Sequence, residues 1–287
     1  MKLKHVIGAS LAVLSCQAIA QEQRVVIDNN IVGILETPEG MDKGPAVLLL
    51  HGFMGNKNEI QIAKTNEGVL ERAAAQLAQN GIASLRIDFQ GAGESRGEFK
   101  DTTFSRLIND ANLSLDWLRH NSLYKAESLG LLGWSQGGLV ASHVASDNDD
   151  VEATVLWTPV TQPYITYSKL LGTQLIDEAL VSDDDKVFPY TTSWGVEAEL
   201  RAQFFKGILN TQPLAAISHY EAPLLVVMGQ KDDLVLDGSG EGWVKYHPGE
   251  TKLLELDTNH TWDAFTGTAT LDELVMPATV QWFSEKL

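Results

Sequence analysis

The feature that most constrains this chain is the G-x-S-x-G segment Gly133-Trp134-Ser135-Gln136-Gly137. Leu129-Gly130-Leu131-Leu132 before it suits a strand buried on both faces, and Gly138 to Ala145 after it can begin a helix at once. A strand that turns directly into a helix forces a strained backbone on the residue at the apex and pushes its side chain out of the sheet edge. Larger side chains in place of Gly133 and Gly137 would collide with neighbouring backbone. Five-residue matches of this kind arise by chance in Gly- and Ser-rich loops. The strand before and the helix after give this one its specificity, and Ser135 is the candidate nucleophile.

A serine hydroxyl is a poor nucleophile near neutral pH, so it needs a base to take its proton and a third group to orient that base. Around such an elbow the partners follow in the order Ser, then Asp or Glu, then His, each on a loop after a later strand. The strand-like run Leu224 to Met228 ends in Gly229-Gln230-Lys231-Asp232-Asp233-Leu234-Val235, and Lys252 to Leu256 leads into Asp257-Thr258-Asn259-His260. The G-x-x-D-x-x-V register selects Asp232 as the orienting acid over the adjacent Asp233. His260 is then the general base. Two backbone donors are needed for a developing oxyanion. The N–H of Gln136, next to the nucleophile, is one candidate. The N–H of Phe53, in the His51-Gly52-Phe53-Met54-Gly55 loop that follows the Ala46 to Leu50 strand, is the other.

With these segments in place, the chain resembles the α/β-hydrolases, and more narrowly the bacterial feruloyl or cinnamoyl esterase group. The likeness is carried by the stretches His51 to Glu59, Asp88 to Phe99 and the GWSQGG elbow, with the GQKDDLV and NH segments behind them. It spans the mature chain in motif order. The chain departs from the family pattern at Ala92, where a histidine is usual, and between the acid and base loops, a Gly-rich stretch with little helix signal. The resemblance implies a serine hydrolase cleaving carboxylic esters through an acyl-enzyme, either feruloyl esterase-like or a short-chain carboxylesterase. A peptidase or thioesterase on the same fold, and a non-catalytic exported binding protein, are the alternatives.

The order of elements agrees with that fold class. A hairpin is predicted around Asn29-Asn30, followed by alternating strands and helices: the Ala46 strand, a helix near Val69 to Ala78, the Ile82 to Ile87 strand, a helix near Phe104 to Leu118, the elbow, and the Ala153 to Trp157 strand. Such alternation argues for an α/β fold, a mostly parallel central sheet with helices on both faces. The rhythm stops at about residues 158–218, which are predicted to form an inserted lid with helices over Tyr167 to Leu180 and Val196 to Ile208. Trp134, Tyr164, Tyr167 and Trp194 are the candidate substrate contacts. A closing helix is expected within Ala264 to Leu287.

Residues 1–20 read as a secretory signal: a basic start at Lys2 and Lys4, an apolar stretch, and Ala18-Ile19-Ala20 as the cleavage site. Residues 21–287 would then be the mature domain, periplasmic or secreted. A rival lipoprotein box ending at Cys16 fits poorly because of Leu14. Cys16 is the only cysteine of the 287 residues, so the mature chain would have no thiol chemistry. The formal charge of −17 repels phosphate backbones and anionic headgroups, which argues against nucleic-acid partners and stable membrane association. A small-molecule ester is the expected partner. No metal or cofactor is implied, since the histidines lack metal-ligand spacing.

Overall fold

A computed structural model describes residues 20–236 and 238–287. The expected signal segment therefore lies outside the described residues, apart from Ala20. The chain opens with β1 (Gln21–Ile27) and β2 (Ile31–Thr37), an antiparallel hairpin turning at Asp28 and Asn29, both in the left-handed region. Then come β3 (Lys43–Leu50), α1 (Val69–Gln79), β4 (Ala83–Asp88), α2 (Phe104–His120), β5 (Lys125–Trp134), α3 (Gln136–Asp147) and β6 (Val151–Trp157). The next segment holds α4 (Pro163–Leu171), α5 (Thr173–Leu180), the hairpin β7 (Val187–Thr191) with β8 (Glu197–Arg201), α6 (Ala202–Asn210) and α7 (Pro213–Ile217). The main rhythm resumes with β9 (Leu224–Gly229), α8 (Ser239–Tyr246), β10 (Thr251–Leu256) and α9 (Met276–Lys286), the last preceded by a π-helical turn over Leu271–Val275.

Eight strands form one sheet in the order β1-β2-β4-β3-β5-β6-β9-β10, parallel from β4 to β10 with an antiparallel edge at β1 and β2. This is the α/β-hydrolase fold. The continuous apolar strands follow from burial on both faces. In β3, Ala46, Leu48 and Leu50 join the core under α2 and α3, while Val47 and Leu49 join the opposite core with α1 and α9. All five are fully buried. The parallel strands all end on one edge, so the loops after β3, β5, β9 and β10 gather there.

Three local expectations are corrected. Tyr167 to Leu180 is two helices, because Gly172 breaks the turn with φ near +88°. Val196 to Arg201 is not helical: β8 pairs with β7, with Leu200 opposite Phe188. Its Glu-Ala-Glu-Leu run favours helix locally, and strand pairing that buries Leu200 overrides it. The Gly-rich stretch between the acid and base loops contains a helix, α8. Packing forms it: Trp243 is fully buried, and a Cβ at Gly240 would lie 2.7 Å from Leu253.

Candidate active site

Ser135 sits at the turn from β5 into α3 with φ +55° and ψ −115°, a conformation strained for any residue but glycine. The surroundings hold it there. Its N–H donates to the Trp157 carbonyl at 2.9 Å, and its own carbonyl accepts from Gly138, Leu139 and Val160 at 3.0–3.2 Å. The flanking glycines are required by space. A Cβ at Gly137 would lie 2.1 Å from the Leu50 carbonyl oxygen, and one at Gly133 would lie 2.3 Å from that of Gly137.

The loops after β9 and β10 bring the two partners to this serine. His260 Nε2 lies 3.0 Å from Ser135 Oγ, and His260 Nδ1 lies 2.6 Å from Asp232 Oδ2. A carboxylate only accepts, so Nδ1 carries the ring proton and Nε2 is left free to accept from the serine hydroxyl. The other oxygen of Asp232 accepts the N–H groups of Leu234 and Val235 at 2.8 and 3.0 Å, which fixes the carboxylate. Its side chain is 2 % exposed. Asp233 is exposed, and only its backbone oxygen is used, by Lys169 Nζ at 2.9 Å. The indole N–H of Trp134 donates to the His260 carbonyl at 3.2 Å, and Asn259 gathers three donors of the base loop onto its side-chain oxygen.

The loop after β3 supplies the facing wall. His51 is buried and uncharged, since burial pushes its imidazole down to about 4. Its Nε2 accepts the Phe89 N–H at 3.2 Å, so Nδ1 holds the proton and donates to the Gly52 carbonyl at 2.8 Å. Asp88 accepts from the Lys57 N–H and ammonium and from the Glu94 N–H, joining this loop to the one after β4. Among the described residues, neither the Phe53 nor the Gln136 N–H has a protein acceptor. Both residues border the space beside Ser135, Phe53 in the pocket wall and Gln136 at the start of α3.

A pocket of about 560 Å³ opens over Ser135 and His260. Phe53, Ile60, Trp134, Leu170, Trp194, Leu234 and Phe265 make it largely apolar, and Glu59 and Thr261 add polar groups. Two of the four candidate substrate contacts, Trp134 and Trp194, line it. The other two do not. Tyr164 is exposed on α4 with its hydroxyl 3.4 Å from Asp177, and Tyr167 is fully buried with its hydroxyl on the side-chain oxygen of Gln136. Helical periodicity turns Tyr167 into the core, where Phe53, Phe104 and Phe204 surround its ring. Leu170, Leu234, Thr261, Phe265 and Glu59 were not among the sequence candidates. Glu59 and Leu234 stand inside the recognisable motifs, whereas Leu170 and Phe265 carry no local signal. No cluster of His, Cys, Asp and Glu able to hold a metal occurs among the described residues, and none of their helices is long and apolar enough to cross a membrane.

The model of the family described as serine aminopeptidase, S33, matches residues 46–258, about three quarters of the chain. Est1E from Butyrivibrio proteoclasticus, a structure with ferulic acid bound, superposes with a TM-score of 0.70 at 20% identity, covering 92% of this chain and 98% of that one. The Pyrococcus furiosus esterase Pf2001 superposes with a TM-score of 0.66 at 18% identity, covering 99% and 96%. An uncharacterized 31.7 kDa Escherichia coli protein from the traX-finO intergenic region is 22% identical over 291 residues, 91% of this chain and 98% of that protein. At these identities the structural likeness speaks for the fold.

Proposed function

Because this chain belongs to the serine aminopeptidase S33 family of α/β-hydrolases, we propose that it hydrolyses carboxylic esters through an acyl-enzyme formed on Ser135. The observation that carries this reading is the continuous hydrogen-bonded chain from Ser135 through His260 to Asp232 at the floor of an apolar pocket. Ser135 Oγ attacks the ester carbonyl carbon while His260 Nε2 takes its proton. Asp232 stabilises the imidazolium so formed. The carbonyl oxygen gains charge and is held by the N–H groups of Phe53 and Gln136. When the tetrahedral centre collapses, the C–O bond to the alcohol breaks and His260 returns the proton to the departing oxygen. Water repeats the cycle on the acyl-enzyme and releases the acid.

The pocket favours an uncharged, apolar or aromatic ester, since no Lys or Arg lines it to receive a second carboxylate or phosphate. Residues 158–218 act as the lid, contributing Leu170 from α4 and Trp194 from the β7–β8 turn to its wall. The protein is exported after cleavage at Ala20. Its mature surface is acidic and does not engage nucleic acid.

Steady-state hydrolysis of p-nitrophenyl butyrate by the wild type and Ser135→Ala tests the reading. Turnover by the wild type and its loss in the variant support it, and equal rates contradict it. The family description favours a second substrate class, the amides of an aminopeptidase. Parallel rates on aminoacyl p-nitroanilides and p-nitrophenyl esters separate the two, and faster anilide cleavage would replace the ester reading. Absence of any turnover, with tight binding of acyl ligands, would favour a non-catalytic binding protein.

A further inference from the structure

Glu59 is the acidic residue of the pocket that the proposed chemistry does not use. We propose that Glu59 is a positioning residue, its carboxyl locking the Gly52 peptide so that the neighbouring Phe53 N–H faces the developing oxyanion. The proposal rests on the reading of Ser135 as the nucleophile.

The loop from His51 to Glu59 cannot hold its shape through local preference alone. Met54 and Glu59 both take positive φ, near 60° and 62°, which costs energy in residues with side chains. Two successive peptide planes are held instead by side chains. The plane joining His51 to Gly52 is held at its N–H by the Glu59 carboxyl. The plane joining Gly52 to Phe53 is held at its carbonyl by His51 Nδ1 at 2.8 Å and the Gly55 N–H at 3.2 Å. A trans peptide is rigid and its C=O and N–H point in opposite directions. Fixing the Gly52 carbonyl therefore fixes the direction of the Phe53 N–H. His51 and the Gly55 N–H act on one plane and Glu59 on the one before it, so losing the carboxyl releases the second of the two planes that meet at Gly52 and loosens the geometry from which the Phe53 N–H is presented.

Space around the carboxyl agrees with this role. A Cβ at Gly55 would lie 2.5 Å from both carboxyl oxygens, so the loop wraps the carboxyl closely. A Cβ at Gly52 would lie 3.1 Å from Glu59 Oε1 and 3.5 Å from Ser135 Cβ, so Gly52 stands close to both the carboxyl and the nucleophile.

Among the described residues the carboxyl also has no cation partner. Lys57 is committed to Asp88 and Glu94 at 2.8 and 2.9 Å, and Arg86 to Glu36 and Glu22 with a further contact to Asn58. Burial pushes the Glu59 carboxyl up to about 7, opposed only by the Gly52 N–H. An unpaired carboxyl in such a place is costly, and a solvated loop acid would not show this geometry.

The test compares kcat and KM for p-nitrophenyl butyrate in the wild type, Glu59→Ala and Glu59→Gln, with Tm measured for each. A Gln amide oxygen still accepts the Gly52 N–H, whereas Ala does not. We expect Glu59→Ala to lower kcat roughly 10- to 100-fold with KM within about threefold, and Glu59→Gln to recover most of the loss. If Glu59→Ala folds poorly, Glu59→Asp withdraws the carboxyl by one methylene and should show the same fall in kcat. Retention of kcat in Glu59→Ala, or an equal fall in Glu59→Gln, would overturn the proposal. So would a selective loss of amine-bearing esters in Glu59→Gln, which would assign the carboxyl to substrate recognition. Wild-type turnover that disappears in Ser135→Ala sustains the nucleophile reading whatever the Glu59 variants do.

Discussion

The Tyr167 hydroxyl donates to the side-chain oxygen of Gln136 at 2.5 Å, and the same ring meets Phe53 edge-to-face at 5.5 Å. One buried residue of the segment between β6 and β9 thus touches both residues assigned to the oxyanion site. That contact joins α4 directly to the start of α3 and to the loop after β3.

Tyr167→Phe keeps the ring packing and leaves the side-chain oxygen of Gln136 buried without its partner. A buried acceptor left unpaired costs about 1–3 kcal/mol. The variant should be less stable by that amount, read as a lower denaturant midpoint at unchanged m, and show a several-fold lower kcat. Wild-type values for both would show that the contact is incidental.

Asp232→Asn should lower kcat by roughly 10³- to 10⁴-fold with little change in Tm, because an amide at this position can favour the wrong histidine tautomer. Asp233→Asn should leave kcat within about twofold, as its side chain is exposed and only its backbone is engaged. Esterase assays on the two variants distinguish these neighbours directly.

Stability should respond to pH through Glu59. Its folded-state value of about 7 lies above the ordinary 4.5, because burial disfavours the charge. The folded protein therefore holds this proton more tightly than the unfolded chain. The stabilisation is complete below about pH 4.5 and is lost as pH rises through about 7. Glu59→Gln removes the titration, so it should match the wild type near pH 5 and exceed it at pH 8 by about 1–2 kcal/mol. Glu36, also raised to about 7 but bonded to Arg86, is present in both proteins and cancels in the comparison. Thermal melts at the two pH values check the sign.

Trp194 is half exposed at the pocket mouth and lines its wall. Trp194→Ala should raise KM for aromatic or longer acyl esters roughly 5- to 30-fold and leave acetate esters little changed, in line with about 1–2 kcal/mol for partial loss of an apolar contact. An equal effect on all acyl lengths would remove Trp194 from the acyl subsite.

Much of the frame was legible because it rests on local rules. Apolar runs separated by helical periods specify a parallel sheet, and the G-x-S-x-G segment allows only a sharp turn. The register of Asp232 ahead of Val235 marks, from local sequence, the residue whose carboxylate meets His260 in the structure. Other features depend on contacts that no window of sequence contains. Leu200 enters a strand by pairing opposite Phe188 and joining the core, and α8 forms on Leu253 despite its glycines. Tyr167 and Trp194 look alike as aromatic residues of one insertion, yet the first is core and the second is pocket rim. Glu59 reads as an ordinary loop acid until the fold closes Gly52 and Gly55 around it.

The most direct measurement is labelling with a fluorophosphonate followed by peptide mass mapping. The account predicts one stoichiometric adduct on Ser135 in the wild type and none in His260→Ala under the same exposure. An unmodified Ser135 in folded wild-type protein, or an adduct formed equally fast without the imidazole, would contradict it.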